Sequence, residues 1–101
     1  MDRLFTALVR GPSMVPALRD GDAVLVRATA RVRAGDVVVV RFPDVPALSV
    51  KRAVRPVEGG WWVEGDNPYG STDSRELGPA EVVGRVVFRW WPRLARVHRR
   101  A

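Results

Sequence analysis

The sequence predicts a mostly β fold, a small antiparallel sheet or partly closed barrel in a single domain. Three observations carry this expectation. Turn-forming groups recur at short intervals, as Gly11-Pro12, Asp20-Gly21-Asp22, Gly35-Asp36, Pro43-Asp44, Gly59-Gly60, Gly65-Asp66-Asn67-Pro68 and Gly78-Pro79. Between them lie short stretches rich in Val and aromatic residues, which suit a pleated, half-buried surface. The chain has 101 residues, 47% of them apolar, enough for one compact domain with a modest core. The domain is read as spanning residues 1–101, with its core at about 10–90 and a basic tail at 92–101.

Taken in order, residues 2–9 are expected to be helical, and residues 13–18 to form one short helical turn. Strands follow at 23–27, 37–42, 48–54, 61–64 and 82–90, each bounded by the turn groups above. A second terminal helix is expected at 92–99. No apolar run exceeds the four residues of 37–40, far short of the ~20 that a spanning helix needs. The N-terminus is short and charged, with Asp2, Arg3 and Arg10, unlike a signal peptide. A soluble, cytoplasmic protein is expected.

Composition removes several chemistries. There is no cysteine, so no disulfide framework, thiolate nucleophile or cysteine-based metal site. The sole histidine, His98, sits in the arginine-rich tail, which argues against a Ser-His-Asp triad and a multi-histidine metal centre. Neither metal nor cofactor is expected. Any serine hydrolysis here needs another base. Net charge is +6; after Glu81 no acid follows, while Arg85, Arg89, Arg93, Arg96, Arg99 and Arg100 do. Such a tail suits an anionic partner, or is a solvated and partly frayed terminus.

Lys51 is the only lysine beside sixteen arginines. Arginine stays protonated at any working pH, whereas a lysine amine in apolar surroundings can become neutral and act as a base. By itself a lone lysine is most simply an exposed strand residue. Its neighbours change that reading. On alternating pleats Lys51 points inward and Arg52 towards solvent. Upstream stands Gly11-Pro12-Ser13-Met14-Val15-Pro16, which presents a serine hydroxyl on a tight turn. Downstream stand Gly65-Asp66-Asn67, Ser71 and Asp73-Ser74-Arg75. Asp66 and Asn67 read as turn-formers bonded to nearby backbone, as do Asp22 and Asp36.

These three segments, in this order, resemble the signal peptidase I family of serine–lysine proteases, over about residues 10–90. The resemblance implies a fold of the signal peptidase–LexA-like type and a serine endopeptidase. Carried over position by position, it makes Ser13 the nucleophile and Lys51 the general base. Ser71 becomes a hydroxyl that orients the lysine amine, and Asp73 with Arg75 an ion pair holding the third segment. The Ser13 backbone N–H would hold the oxyanion. One departure is Gly11, where many bacterial members carry a serine whose hydroxyl also donates to that oxyanion. An aspartate paired to Lys51 would defeat a lysine base, so Asp73 is expected to stay with Arg75 and out of contact with Lys51.

Small size, scarcity of lysine and the Gly-Pro-Ser-Met-Val-Pro string are most similar to the soluble nickel-type superoxide dismutase maturation proteases. That likeness implies removal of a short N-terminal extension from a dismutase precursor. The alternative is a leader peptidase acting on exported preproteins, its membrane anchor absent or replaced by peripheral attachment to the inner face through the basic aromatic stretch of residues 88–93. The regulatory domain of a self-cleaving repressor fits less well, since no DNA-binding region or internal cleavage segment is evident. A nucleic-acid-binding barrel leaves the three motifs unexplained, and no nucleic-acid partner is expected.

Overall fold

The structure, a computed structural model, describes residues 3–29 and 31–100. Its elements are β1 (Leu4–Leu8), β2 (Ala23–Arg27), β3 (Val37–Arg41), β4 (Ser49–Val57), β5 (Gly60–Glu64), α1 (Ser74–Leu77), β6 (Glu81–Trp91) and β7 (Ala95–Arg96). The expected mostly β architecture is borne out as one seven-stranded sheet ordered β1-β2-β6-β3-β4-β5, with β7 also on β6. Every pairing between these strands is antiparallel.

The long strand β6 organises the sheet. One edge pairs with β2 from Arg85 to Trp91. The other pairs first with β3, from Glu81 to Arg85, and then with β7 at Phe88 and Arg89. Register shifts on both edges bend and twist the strand. Curvature brings the far edge round, so that Trp61 at the start of β5 exchanges two backbone hydrogen bonds with Ala80, each 2.9 Å. That bridge partly closes a barrel.

Valine repetition in β3 follows from its central place. Val37 and Val39 enter one core cluster with Val9, Met14, Leu18, Val24, Val26 and Val86. Val38 and Val40 enter a second with Phe42, Ala53, Val63 and Ala80. A strand buried on both faces needs apolar side chains at consecutive positions, which is why alternation is absent there. Full burial of each valine is worth roughly 1.5–3 kcal/mol.

Both terminal helices expected from the sequence are absent. Residues 4–8 form β1, in register with β2 from Leu4↔Arg27 to Leu8↔Ala23. Phe5 and Ala7 pack on the core while Leu4, Thr6 and Leu8 stay exposed, so the segment alternates with period two. Asp2, the start of the expected helix, lies outside the described residues. At the other end, residues 95–96 form β7 and the chain beyond is tied down. The Arg100 amide donates to Gly35 O at 3.0 Å, and Arg99 pairs with Asp36 at 2.8 Å. The basic tail is therefore docked on the protein and is no frayed end. Residues 13–17 form tight turns in place of the expected helical turn, closed by Val15 N to Pro12 O (3.1 Å) and Leu18 N to Met14 O (2.9 Å).

Candidate active site

Ser13 lies on the loop joining β1 to β2. Two backbone bonds close the loop's base, Val9 N to Asp22 O and Gly21 N to Val9 O, both 2.8 Å. Asp22 Oδ2 accepts from the Arg19 amide at 2.9 Å and Asp20 Oδ1 from the Gly11 amide at 2.8 Å. Met14 and Leu18 plunge into the core and anchor the turn. Ser13 is left half-buried at its crest. Its backbone N–H donates to no protein acceptor among the described residues.

Lys51 is on β4, directly opposite Val38. Cross-strand partners share a face, as do residues two apart along a strand. The lysine therefore stands beside Val38 and Ala53, at the margin of the second core cluster. It is 5% exposed. Burial is the main cause that lowers its pKa below the ordinary 10.5; attraction from Asp73 works against this, and the Arg75 charge assists it. Among the described residues no carboxylate forms an ion pair with Lys51.

Asp73 organises the third segment. It is 1% exposed and caps α1, with Oδ1 accepting from the Arg75 amide at 3.2 Å. Arg75 grips it in two places, Nε to Oδ1 at 3.0 Å and Nη2 to Oδ2 at 2.8 Å. Oδ2 also accepts from the Gly65 amide at 2.8 Å and the Ser71 hydroxyl at 2.7 Å. Burial would raise the carboxyl's pKa, but the bonds from Arg75, Gly65 and Ser71 outweigh it and hold the group well below the carboxylate range. Asp73 stays ionised and spoken for. The expected Asp73–Arg75 pairing is thus present.

The same segment clasps the Ser13 loop. Asn67 N donates to Ser13 O at 2.8 Å, and Asn67 Nδ2 to Pro12 O at 3.0 Å. Asn67 Oδ1 accepts from Tyr69 N at 3.0 Å, a local turn of the expected kind. Gly65 sits where a side chain would run into the Ser71 hydroxyl and approach Ser13 O to 2.7 Å. Ser13, Gly65, Ser71 and Asp73 are therefore neighbours, and Asp73 lies within electrostatic reach of Lys51.

Three local expectations change. Ser71 commits its only proton to Asp73, and among the described residues no hydrogen bond joins Ser71 or Ser13 to Lys51. Arg52 does not face solvent. It is 8% exposed and forms a two-point pair with Asp66, Nε to Oδ1 at 3.1 Å and Nη2 to Oδ2 at 2.6 Å. Asp66 is thereby an ion-pair partner and not a turn-former. The tail covers this face: Arg52 Nη1 donates to Gly35 O and His98 O, and Arg100 reaches Asp66 at 3.2 Å. A buried arginine next to the lysine was missed because strand alternation alone sends it outward. Its partners lie 14 and 46 residues away. Asp36 does accept from the Arg33 amide, at 2.9 Å, as expected. No cluster of three metal-ligating side chains exists among the described residues.

A small curved β sheet, a buried lysine with no carboxylate paired to it and a serine on a loop clasped by the Asp73 segment make up the candidate site. Sequence comparison gives the class a name. The Peptidase S24-like family matches residues 1–87, and the chain belongs to that family. Mitochondrial inner membrane protease subunit 1 of Xenopus tropicalis is 33% identical over 110 residues, 81% of this chain and 66% of that protein. Mitochondrial ATP-independent inner membrane protease subunit 1a of Arabidopsis thaliana is 32% identical over 118 residues, 86% of this chain and 70% of that protein. The human inner membrane protease subunit 1 is 30% identical over 110 residues, again covering 66% of its length. The chain spans about two thirds of these relatives. Membership agrees with the fold of the LexA-like type and makes the protein a peptidase-family member.

Proposed function

We propose that the protein is a serine endopeptidase with Ser13 as nucleophile and Lys51 as general base, removing an N-terminal extension from a precursor. The observation that carries it is the burial of the chain's only lysine against Val38 and Ala53, with no carboxylate paired to it. A neutral amine takes the Ser13 proton as Oγ attacks the scissile carbonyl carbon. The ammonium returns that proton to the departing amine nitrogen, whose C–N bond breaks. Water then hydrolyses the ester, Lys51 accepting the water proton and Ser13 regaining its own. The Ser13 N–H is available for the oxyanion. Gly11 offers no hydroxyl donor, and a missing donor costs ~10²-fold or more where one is used.

Asp73 and Arg75 keep the third segment in place without forming an ion pair with Lys51, and Ser71 is a positioning residue held by Asp73. Replacing Ser13 by Ala is expected to abolish cleavage. Lys51→Arg keeps the charge and removes the base, so it should cost ~10²–10⁴-fold. A Lys51→Arg variant with most of its activity would refute the assignment. Activity should rise with pH as Lys51 loses its proton, in a range below lysine's ordinary 10.5.

For the substrate we put first a nickel-type superoxide dismutase precursor, bound as an extended peptide along a strand edge near Ser13, with Ala or Gly before the cut. None of the relatives named above carries that description. The second reading, a processing peptidase for exported preproteins, is favoured by those relatives' names and by the exposure of Trp90, Trp91 and Leu94 among arginines. Aromatic and basic groups together favour a membrane interface. Among the described residues no helix is long and apolar enough to cross a membrane. Incubating the protein with each precursor and sequencing the new N-termini separates the readings: cutting of the preprotein alone overturns the first.

A further inference from the structure

Away from Ser13, Lys51 and Ser71, four arginines line one cleft. Arg31, Arg33, Arg85 and Arg99 surround a concavity of about 450 Å³, with Val32 and Asp36 completing the wall. Asp36 is already committed, its Oδ1 to Arg99 Nε at 2.8 Å and its Oδ2 to the Arg33 amide at 2.9 Å. Four positive side chains against one negative leave a formal charge of +3. Among the described residues Arg31, Arg33 and Arg85 form no ion pair. An independent observation comes from Arg85: its Nε is buried and has no hydrogen-bond partner. Buried donors are nearly always satisfied, and one left open is costly. Arg85 cannot easily withdraw, since it is paired on both sides of β6, to Arg27 and to Val38.

Planar guanidinium forks that outnumber the one carboxylate of their cleft match the tetrahedral oxygens of a phosphoryl group. We propose that this cleft binds a phosphate-bearing anion, held by the guanidinium groups of Arg31, Arg33 and Arg85, whose charges no carboxylate pairs among the described residues. The site stands apart from the peptidase reading and does not depend on it. Its volume exceeds that of a single phosphate, which leaves two sources of the same chemistry: a soluble phosphate compound or a phospholipid headgroup.

Isothermal titration with pyrophosphate, at ionic strength held constant with chloride, tests the proposal on the full chain. The variants are Arg31→Ala/Arg33→Ala, both exposed positions, and Arg85→Met. A control, Arg55→Ala/Arg93→Ala, loses the same charge as the double variant at exposed positions outside the cleft. Charge-assisted bonds of this kind imply a dissociation constant weakened ~10-fold or more in the cleft variants, and by less than about 2-fold in the control. If Arg85→Met fails to fold, the double variant decides alone. A parallel arm measures sedimentation with phosphatidylcholine vesicles, with and without phosphatidylglycerol. Cleft-dependent binding of pyrophosphate supports a soluble ligand, and cleft-dependent binding of the anionic vesicles alone supports a headgroup. Equal loss in the control, or no binding of either probe, overturns the site.

Discussion

Replacing Asp66 by Ala removes the acceptor from a pair buried on both sides. The Arg52 side chain is 10% exposed and that of Asp66 only 1%. Without Asp66, Arg52 keeps two carbonyl acceptors, Gly35 O at 3.0 Å and His98 O at 3.1 Å, but nothing neutralises its charge. Removing one partner of a buried pair costs ~3–5 kcal/mol. The retained carbonyls place the loss at the lower end, about 3 kcal/mol. Arg100, more than half exposed, adds little. At ~4–8 °C per kcal/mol for a domain near this size, Tm falls by at least ~12 °C. Urea unfolding followed by fluorescence of the four tryptophans measures the change, with the slope expected to stay constant. The Arg52→Met/Asp66→Leu double variant should recover most of the loss, because neither residue then carries a charge that must be desolvated. A loss below ~1 kcal/mol at unchanged slope for Asp66→Ala would show that the pair is solvent-screened and refute the reasoning.

Three further outcomes follow from the site. Lys51→Met should stabilise the protein at pH 7: with the folded pKa lowered, burial penalises the ammonium, and the penalty fades as pH rises towards 10.5, so the gap to wild type narrows between pH 7 and 10 in urea midpoints. Asp73→Asn should cost ~2 kcal/mol at neutral pH; because the folded pKa is depressed below 3.8, that gap holds at pH 5 and shrinks only as pH falls below about 4, as thermal melts across that range would show. Gly65→Ala forces a methyl against Ser71 and Ser13 O, so it should cost ~1–3 kcal/mol and lower kcat/KM at temperatures where the variant is fully folded.

Local order was legible in the sequence. Residues 23–27 were read as a strand with the observed bounds, and β3 to β6 within a few residues, because turn groups and β-branched runs act over a handful of positions. The Asp73–Arg75 pair was expected from the family resemblance, and it is local, its members two residues apart. The proposal for Lys51 likewise starts from composition and the three motif segments, before any geometry. Tertiary structure alone decided the rest. Residues 4–8 carry a period-two pattern, yet five residues with few turn signals become a strand only when β2 offers an edge. Arg52 points away from the Lys51 face as alternation requires, but that face is covered by the tail, so direction did not mean exposure. The tail docks through Arg99 on Asp36, 63 residues away, and through Arg100 on Asp66. Whether a charge in this chain meets water or a partner depends on which distant segment the curled sheet brings over it, and no local pattern encodes that.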